Sequence, residues 1–306
     1  MKTVFIYNEH AGKKKGSDAT LISQLSERGD SEISVYTTKS VGDAEEYVKI
    51  FCDGNGCARF VACGGDGTLC EVLNGVMERE GCEVALLPMG TGNDFCRNFD
   101  SMTVDDILSS DITKCDAVKC TLTLGDKKRV VYSANMVNIG FDCNAADMTS
   151  SMKKKPFISG TLAYVVSVLV TLIKKKGASL LIEADGKVIH NGELLLTTAA
   201  NGCFCGGGFM SNPHASLCDG LIDVNIIKNI SRSKFITLLP SYKKGTFLNK
   251  KGIGNIISAL KCKMIKYTSL TGTVKVCIDG EIYDADSMTL DIVPGAFKFA
   301  GQIKSV

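Results

Sequence analysis

The stretch Gly64-Gly65-Asp66-Gly67-Thr68-Leu69 constrains this chain more than any other. Before it runs Arg59-Phe60-Val61-Ala62-Cys63, a short apolar run of strand type. After it come Leu69, Val72, Leu73, Val76 and Met77, at the i, i+3, i+4, i+7, i+8 spacing of one helix face. The glycines therefore fall on a strand-to-helix turn. Glycine there tolerates positive φ and lets another group approach the backbone. The unpaired amides and positive dipole end of the following helix favour a phosphate. Asp66 is the odd member, because a carboxylate repels phosphate unless a cation lies between them. A hard cation that takes few protein ligands, Mg²⁺, meets that need. Alone, the stretch reads equally well as a tight turn with Asp66 as a solvated cap.

A second stretch repeats the pattern. Pro88-Met89-Gly90-Thr91-Gly92-Asn93-Asp94-Phe95 follows the apolar run Val84-Ala85-Leu86-Leu87 and is again a Gly-rich turn carrying an Asp. Neither stretch is a Walker A loop or the dinucleotide G-x-G-x-x-G. To residue 90 the order is strand, helix, strand, helix, strand, helix, strand, which predicts a parallel sheet with helices on both faces. Ligands bind beyond the carboxyl ends of such strands. Asn8, Thr38, the 64–68 turn and the 90–94 turn all fall at those ends. From about residue 117 strand-like runs follow one another at 118–124, 129–139, 179–184, 193–200, 221–228, 273–278 and 287–293, which predicts a second, mostly β domain.

Composition excludes several classes. A net charge of +2 gives no global pull toward nucleic acid, and no Arg/Lys-rich helix with interleaved aromatics points to one. The 14 cysteines form no C-x-x-C and there are only three histidines, so zinc is poorly supported. They read as reduced, mostly buried thiols of a cytoplasmic protein. Met1-Lys2 leads directly into a strand-like run, so no signal peptide is expected. Phe157 to Ile173 is apolar but short for a membrane span and holds Ser159, Gly160, Thr161, Ser167 and Thr171. It reads as a buried helix of a soluble domain. Its flanking lysines, 153–155 and 174–176, suit anionic headgroups at roughly 1 kcal/mol each.

GGDGTLCEVLNG followed by PMGTGNDFCRNF resembles the diacylglycerol kinase catalytic-domain family, and within it the small soluble bacterial lipid kinases of the NAD kinase-like superfamily. The likeness covers nearly the whole chain. It implies an α/β plus β fold: a nucleotide-binding parallel-sheet domain over 1–117, joined by a C-terminal tail of about 295–306, and a larger, sandwich-like, mostly β lipid-substrate domain over 118–294. The family has a nucleotide-contacting loop matching Asn8 to Gly12, although Glu9 stands here where proline is usual. The resemblance implies that Asn8, Gly12, Thr38, Gly64, Gly65, Asp66, Gly67, Thr68, Gly90, Thr91, Gly92 and Asn93 bind ATP. Asp66, Asp94 and Asp116 match three carboxylates that organise Mg²⁺ through water. Asn212-Pro213 to Asp223-Val224 matches a turn that holds a structural Mg²⁺ through the Asp219 carboxylate and the carbonyls of Ser216 and Leu221; on its own it is a plain Asp-Gly turn. Asp279-Gly280-Glu281 matches a D-G-E that faces the nucleotide loop, with Asp279, aided by Glu281, deprotonating the acceptor hydroxyl.

The expected activity is therefore transfer of the γ-phosphoryl group of ATP to a lipid hydroxyl, with diacylglycerol the leading acceptor. Phosphatidylglycerol, a polyprenol or a sphingoid base are the alternatives. The expected partner is a lipid at a membrane surface, met by peripheral, reversible contact, with no nucleic acid; relatives are often dimers, and a homodimer stays open. NAD kinase shares the GGDGT turn, but its second motif resembles Gly-Asn-x-Gly-x-Leu-Gly-Phe rather than G-T-G-N-D-F. A non-catalytic lipid- or nucleotide-binding relative is the rival of another class, and the intact Asp66, Asp94, Asp116, Asp279 and Glu281 argue against it.

Overall fold

The computed structural model describes residues 1–9, 11, 25, 32–100, 103–140 and 177–304. Gly12, the first predicted helix apart from Leu25, and the 157–173 segment with its flanking lysines lie outside the described residues. The chain falls into two compact units, Met1–Asp116 with Gly295–Val306, and Ala117–Pro294.

In the first unit, β1 (Thr3–Tyr7) pairs in parallel with both β2 (Ile33–Thr37) and β3 (Arg59–Gly64), and β3 pairs in parallel with β4 (Glu83–Pro88). Every residue of β1 and β3 is buried, as near-continuous apolar runs of a parallel sheet should be. Helices α1 (Asp43–Asn55) and α2 (Asp66–Val76) connect these strands. They pack closely because Gly75 lacks a side chain: a Cβ there would lie 2.6 Å from Val48 Cβ. Register places Tyr7 beside Thr37 and Cys63, and Cys63 beside Leu87. Asn8, Thr38, Gly64 and Pro88 therefore lie along one edge. β1 is also where the strand order reverses, the point at which open parallel sheets bind ligands. A short helix, α3 (Val104–Ser109), begins with a capping box between Thr103 and Asp106.

The second unit is antiparallel. Its strands are β5 (Ile112–Leu124), which starts in the first unit, β6 (Lys127–Ser133), β7 (Met136–Gly140), β8 (Ala178–Ala184), β9 (Lys187–Ala200), β10 (Ile222–Lys228), β11 (Ile257–Cys262), β12 (Met264–Ser269), β13 (Val274–Ile278), β14 (Glu281–Ala285) and β15 (Ser287–Ala300). β15 ends in the first unit, where its residues 298–299 pair in parallel with β4. A core including Val118, Ile139, Leu180, Val224, Ile265, Val276 and Leu290 fills the second unit. Several elements differ from the sequence expectation. The 129–139 run is two strands, broken at Ala134-Asn135. β11, β12 and β14 carry lysines and acids that interrupt their apolar alternation. Arg232–Lys243 is a helix, α4, despite an internal Pro240; no helix was expected there. Among the described residues no helix is long and apolar enough to cross a membrane.

Candidate active site

β3 ends at Gly64 and α2 begins at Asp66, with Gly65 as its N-cap and no side chain capping it. The amides of the first helical turn have no acceptor within the helix. Contrary to the expectation of positive φ, no described glycine of either Gly-rich turn is left-handed. Gly65 and Gly90 are glycines because the two turns press backbone on backbone, and Gly64 because the Thr68 side chain packs against it. A Cβ on Gly90 would lie 2.5 Å from Gly65 Cα, and a Cβ on Gly64 would lie 2.3 Å from Thr68 Oγ1. Gly64 O accepts from Met89 N at 2.8 Å and from Gly90 N at 3.1 Å. Asn93, at φ 50°, closes the second turn: its Oδ1 accepts from Gly90 N at 3.0 Å and its Nδ2 donates to Gly90 O at 2.9 Å.

Asp66 is not a solvated cap. Its Oδ1 accepts from Phe95 N at 3.0 Å and its Oδ2 from Asp94 N at 3.1 Å, so it staples the first turn to the second. Asp94 is buried and pairs with Arg97 Nε at 3.4 Å, while Arg97 Nη2 donates to Gly92 O at 3.1 Å. A Cβ on Gly92 would lie 3.2 Å from Asp66 Oδ2 and 3.6 Å from Asp94 Oδ2, so the two carboxylates flank Gly92. Asp116 is buried and its Oδ1 accepts from Gly295 N at 2.8 Å. Among the described residues no group of three or more His, Cys, Asp or Glu side chains could hold a metal ion directly. Burial, then the Asp66 charge, push the Cys96 thiol up; it stays protonated and donates to Asn93 O at 3.1 Å.

Asn8 and Thr38 hold the neighbouring strand ends. Asn8 Nδ2 donates to Thr68 Oγ1 at 3.1 Å, and Thr38 N donates to Tyr7 O at 2.8 Å. Thr91 is exposed at the tip of the second turn. Phe95 anchors that turn, packing at ring centroid distances of 5.2 Å on Phe99 and 5.3 Å on Phe299.

In the second unit, Asp279 has φ 47° and a buried carboxylate. Its Oδ1 accepts from Ser133 Oγ at 2.7 Å, Met136 N at 2.8 Å and Asn135 N at 3.2 Å; its Oδ2 accepts from Ala134 N at 2.8 Å. This clamp is why the 129–139 run breaks at Ala134-Asn135. Asn135 Nδ2 donates to Phe204 O and Asn201 Nδ2 to Ala134 O. The loop they hold continues into Gly206-Gly207-Gly208, all left-handed at φ 59°, 82° and 101°, which turn the Cys205–Phe209 hairpin. Glu281 is exposed at the start of β14.

In the 212–224 turn, both oxygens of the Asp219 carboxylate have protein partners. Asp219 Oδ1 accepts from Leu221 N at 3.1 Å and Oδ2 from Lys261 Nζ at 2.6 Å. An ammonium lies against the carboxylate that the resemblance assigns to a structural Mg²⁺. Asp219 thus has a backbone amide on one carboxylate oxygen and an ammonium on the other.

Residues 2–122 match the diacylglycerol kinase catalytic domain, and residues 135–301 match the YegS C-terminal NAD kinase beta sandwich-like domain. The chain belongs to the diacylglycerol kinase family. A Staphylococcus aureus (strain MSSA476) protein named "Putative lipid kinase" is 27% identical over 310 residues, covering 96% of this chain and 95% of that relative. A solved structure titled as a diacylglycerol kinase from Bacillus anthracis str. Sterne aligns at TM-score 0.68 and 20% identity, over 98% of this chain and 97% of that one. Yeast NADH kinase complexed with NADH aligns at TM-score 0.56 and 14% identity, over 99% and 84%. These likenesses show an NAD kinase-like fold for this lipid kinase family member.

The motifs of this diacylglycerol kinase family member did not disclose Arg97, Ser133, Asn135 or Asn201. Arg97 was visible only as one more charge after N-D-F. The Gly206–Gly208 run was the clearest signal passed over, since three successive glycines demand a backbone other residues avoid.

Proposed function

We propose that the protein transfers the γ-phosphoryl group of ATP to a lipid hydroxyl, with diacylglycerol the leading acceptor and phosphatidic acid the product. The observation that carries this is the clasp of two Gly-rich turns through Asp66 on the carboxyl edge of a parallel sheet. Such a clasp presents the open N-terminus of α2 to a polyphosphate. Gly65, Gly67 and Thr68 offer backbone amides, Asn8 orients Thr68, and Thr91 and Gly92 form the facing wall. Arg97 keeps the second turn shaped. When bound, Mg²⁺ would neutralise phosphate charge, held through water by Asp66, Asp94 and Asp116.

On the acceptor side, the hydroxyl oxygen attacks the γ-phosphorus, the bond to the β-phosphate oxygen breaks, and the hydroxyl proton passes to a carboxylate. Asp279 is oriented for this by donors on both carboxylate oxygens, among them Ser133 Oγ, Ala134 N and Met136 N. Glu281, exposed two residues on, is the group that carries the proton to solvent.

Labelled ATP with Mg²⁺ and a panel of lipids in mixed micelles tests the reading, beside Asp66→Ala. Label in one lipid, lost in the variant, is the expected result and names the acceptor. Label in NAD instead would move the assignment to the activity of the NADH kinase fold neighbour. ATP binding with no labelled product from any acceptor would overturn the kinase reading in favour of a binding protein.

A further inference from the structure

Between Val224 and Ile278 the chain carries eleven lysines and arginines and no Asp, Glu or His, a net +11 within a chain of net +2. The middle of this stretch forms a layer over β9, β10 and β11. It consists of α4 and two short 3-10 turns at Phe247–Asn249 and Ile253–Asn255. Phe235, Leu238, Tyr242 and Phe247 face inward onto Leu195, Leu196, Ile227 and Ile257. That packing turns Lys234, Lys244, Lys250 and Lys251 outward, all exposed, around Ile236 at 55% exposure. Lys243 lies over the Phe209 ring at 5.6 Å, and Met210 N donates to Lys243 O at 3.1 Å. The basic layer thus continues into the Gly206–Gly208 hairpin. That hairpin is tied through Phe204 O and Asn135 to the Asp279 turn.

We propose that this lysine layer docks the second unit on an anionic phospholipid bilayer. Charge complementarity decides the partner. Lysine is a hydrated point charge that needs no shaped partner, which suits a diffuse layer of headgroups. Ile236 and the half-exposed Phe209 and Met210 supply a small apolar footing among the charges. A nucleic acid would be met by exposed stacking rings or guanidinium forks, and Lys243 covers the Phe209 face. The proposal rests on the lipid-kinase reading for why a membrane is needed, and on the charge alone for where it binds.

The test is co-sedimentation of the full chain with vesicles of phosphatidylcholine alone or with about 30 mol% phosphatidylglycerol, an anionic fraction that attracts lysines. The variant combines Lys234→Gln, Lys244→Gln, Lys250→Gln and Lys251→Gln, exposed positions outside the proposed catalytic set. Wild type should bind the anionic vesicles, release at high salt and ignore the neutral ones. Each lysine near the surface is worth about fivefold, so the variant should bind at least tenfold more weakly with an unchanged melting temperature. Equal vesicle binding by both proteins, no preference for anionic lipid, or binding to single-stranded DNA without vesicle binding would overturn the proposal. Phosphorylation of a short-chain diacylglycerol in neutral micelles should be the same for both. If neither protein labels any acceptor, the kinase reading fails while the vesicle comparison still decides the surface.

Discussion

Gly90 and Asp279 each make demands that a motif does not express. A methyl group on Gly90 meets Gly65 Cα at 2.5 Å. Backbone atoms on both sides cannot rotate away, so the two turns must separate. Gly90→Ala should lose about 1–3 kcal/mol in chemical denaturation and weaken ATP binding. Gly254→Ala, with nothing within 4 Å, should do neither. Asp279 accepts from four donors, so Asp279→Asn would turn an NH₂ toward at least one buried N–H or O–H. Leaving such groups unpaired costs about 1–3 kcal/mol each. The D-G-E motif alone suggests that Asp279→Asn cuts turnover and leaves folding intact; the clamp predicts a loss of both. Glu281→Gln, on an exposed residue, should keep the melting temperature and lower turnover. A general base contributes about 10²–10⁴-fold, and a proton relay beyond it should contribute less. A stable Asp279→Asn with unchanged turnover would sink both the clamp and the catalytic assignment.

At the scale of elements, the 212–224 turn and β10 show how a neighbouring strand rewrites a loop. β11 brings Lys261 onto Asp219, and an ammonium then stands against the carboxylate that the resemblance assigns to a cation. The melting temperature of the nucleotide-free protein should therefore be equal in EDTA and in millimolar Mg²⁺; a rise with Mg²⁺, abolished by Asp219→Ala, would restore the metal reading. On β10, burial raises the Asp223 carboxyl above its usual value, opposed by Asn212 and Lys261. Its folded pKa lies above its unfolded one, so the folded state binds the proton more readily. Wild type then loses stability as pH rises from about 4 through that folded pKa. Asp223→Asn still accepts from Asn212 Nδ2 and carries no charge. Its stability relative to wild type should increase between acid and neutral pH in a melting series. The first unit shows the same dependence on a neighbour, because Asp66 owes its two bonds to an element 28 and 29 residues away.

Across the whole molecule, most of the described cysteines are packed as small buried side chains. Of those described, only Cys57 and Cys218 are exposed. Burial pushes the Cys63 and Cys262 thiols up to about 12 and the Cys120 thiol well above its ordinary value. A thiol reagent at mildly alkaline pH should therefore label Cys57 and Cys218 quickly in the native chain and all 14 cysteines after unfolding. Rapid labelling at Cys63 or Cys120 would contradict the packing of the unit that holds it.

The sequence by itself determined the parallel sheet, the placing of both Gly-Asp turns on its carboxyl edge and the β character of the second half. Those features rest on local quantities: apolar period, run length and glycine at strand ends. Only the tertiary structure decided what the carboxylates do. Asp279 takes a hydroxyl 146 residues away in sequence and Asp219 an ammonium 42 residues away. It also decided that the glycines serve close approach rather than left-handed turns, and that α4 forms where the 3.6-residue pattern is weak. Such partners are fixed by strand register and packing, and no spacing within a single segment records them.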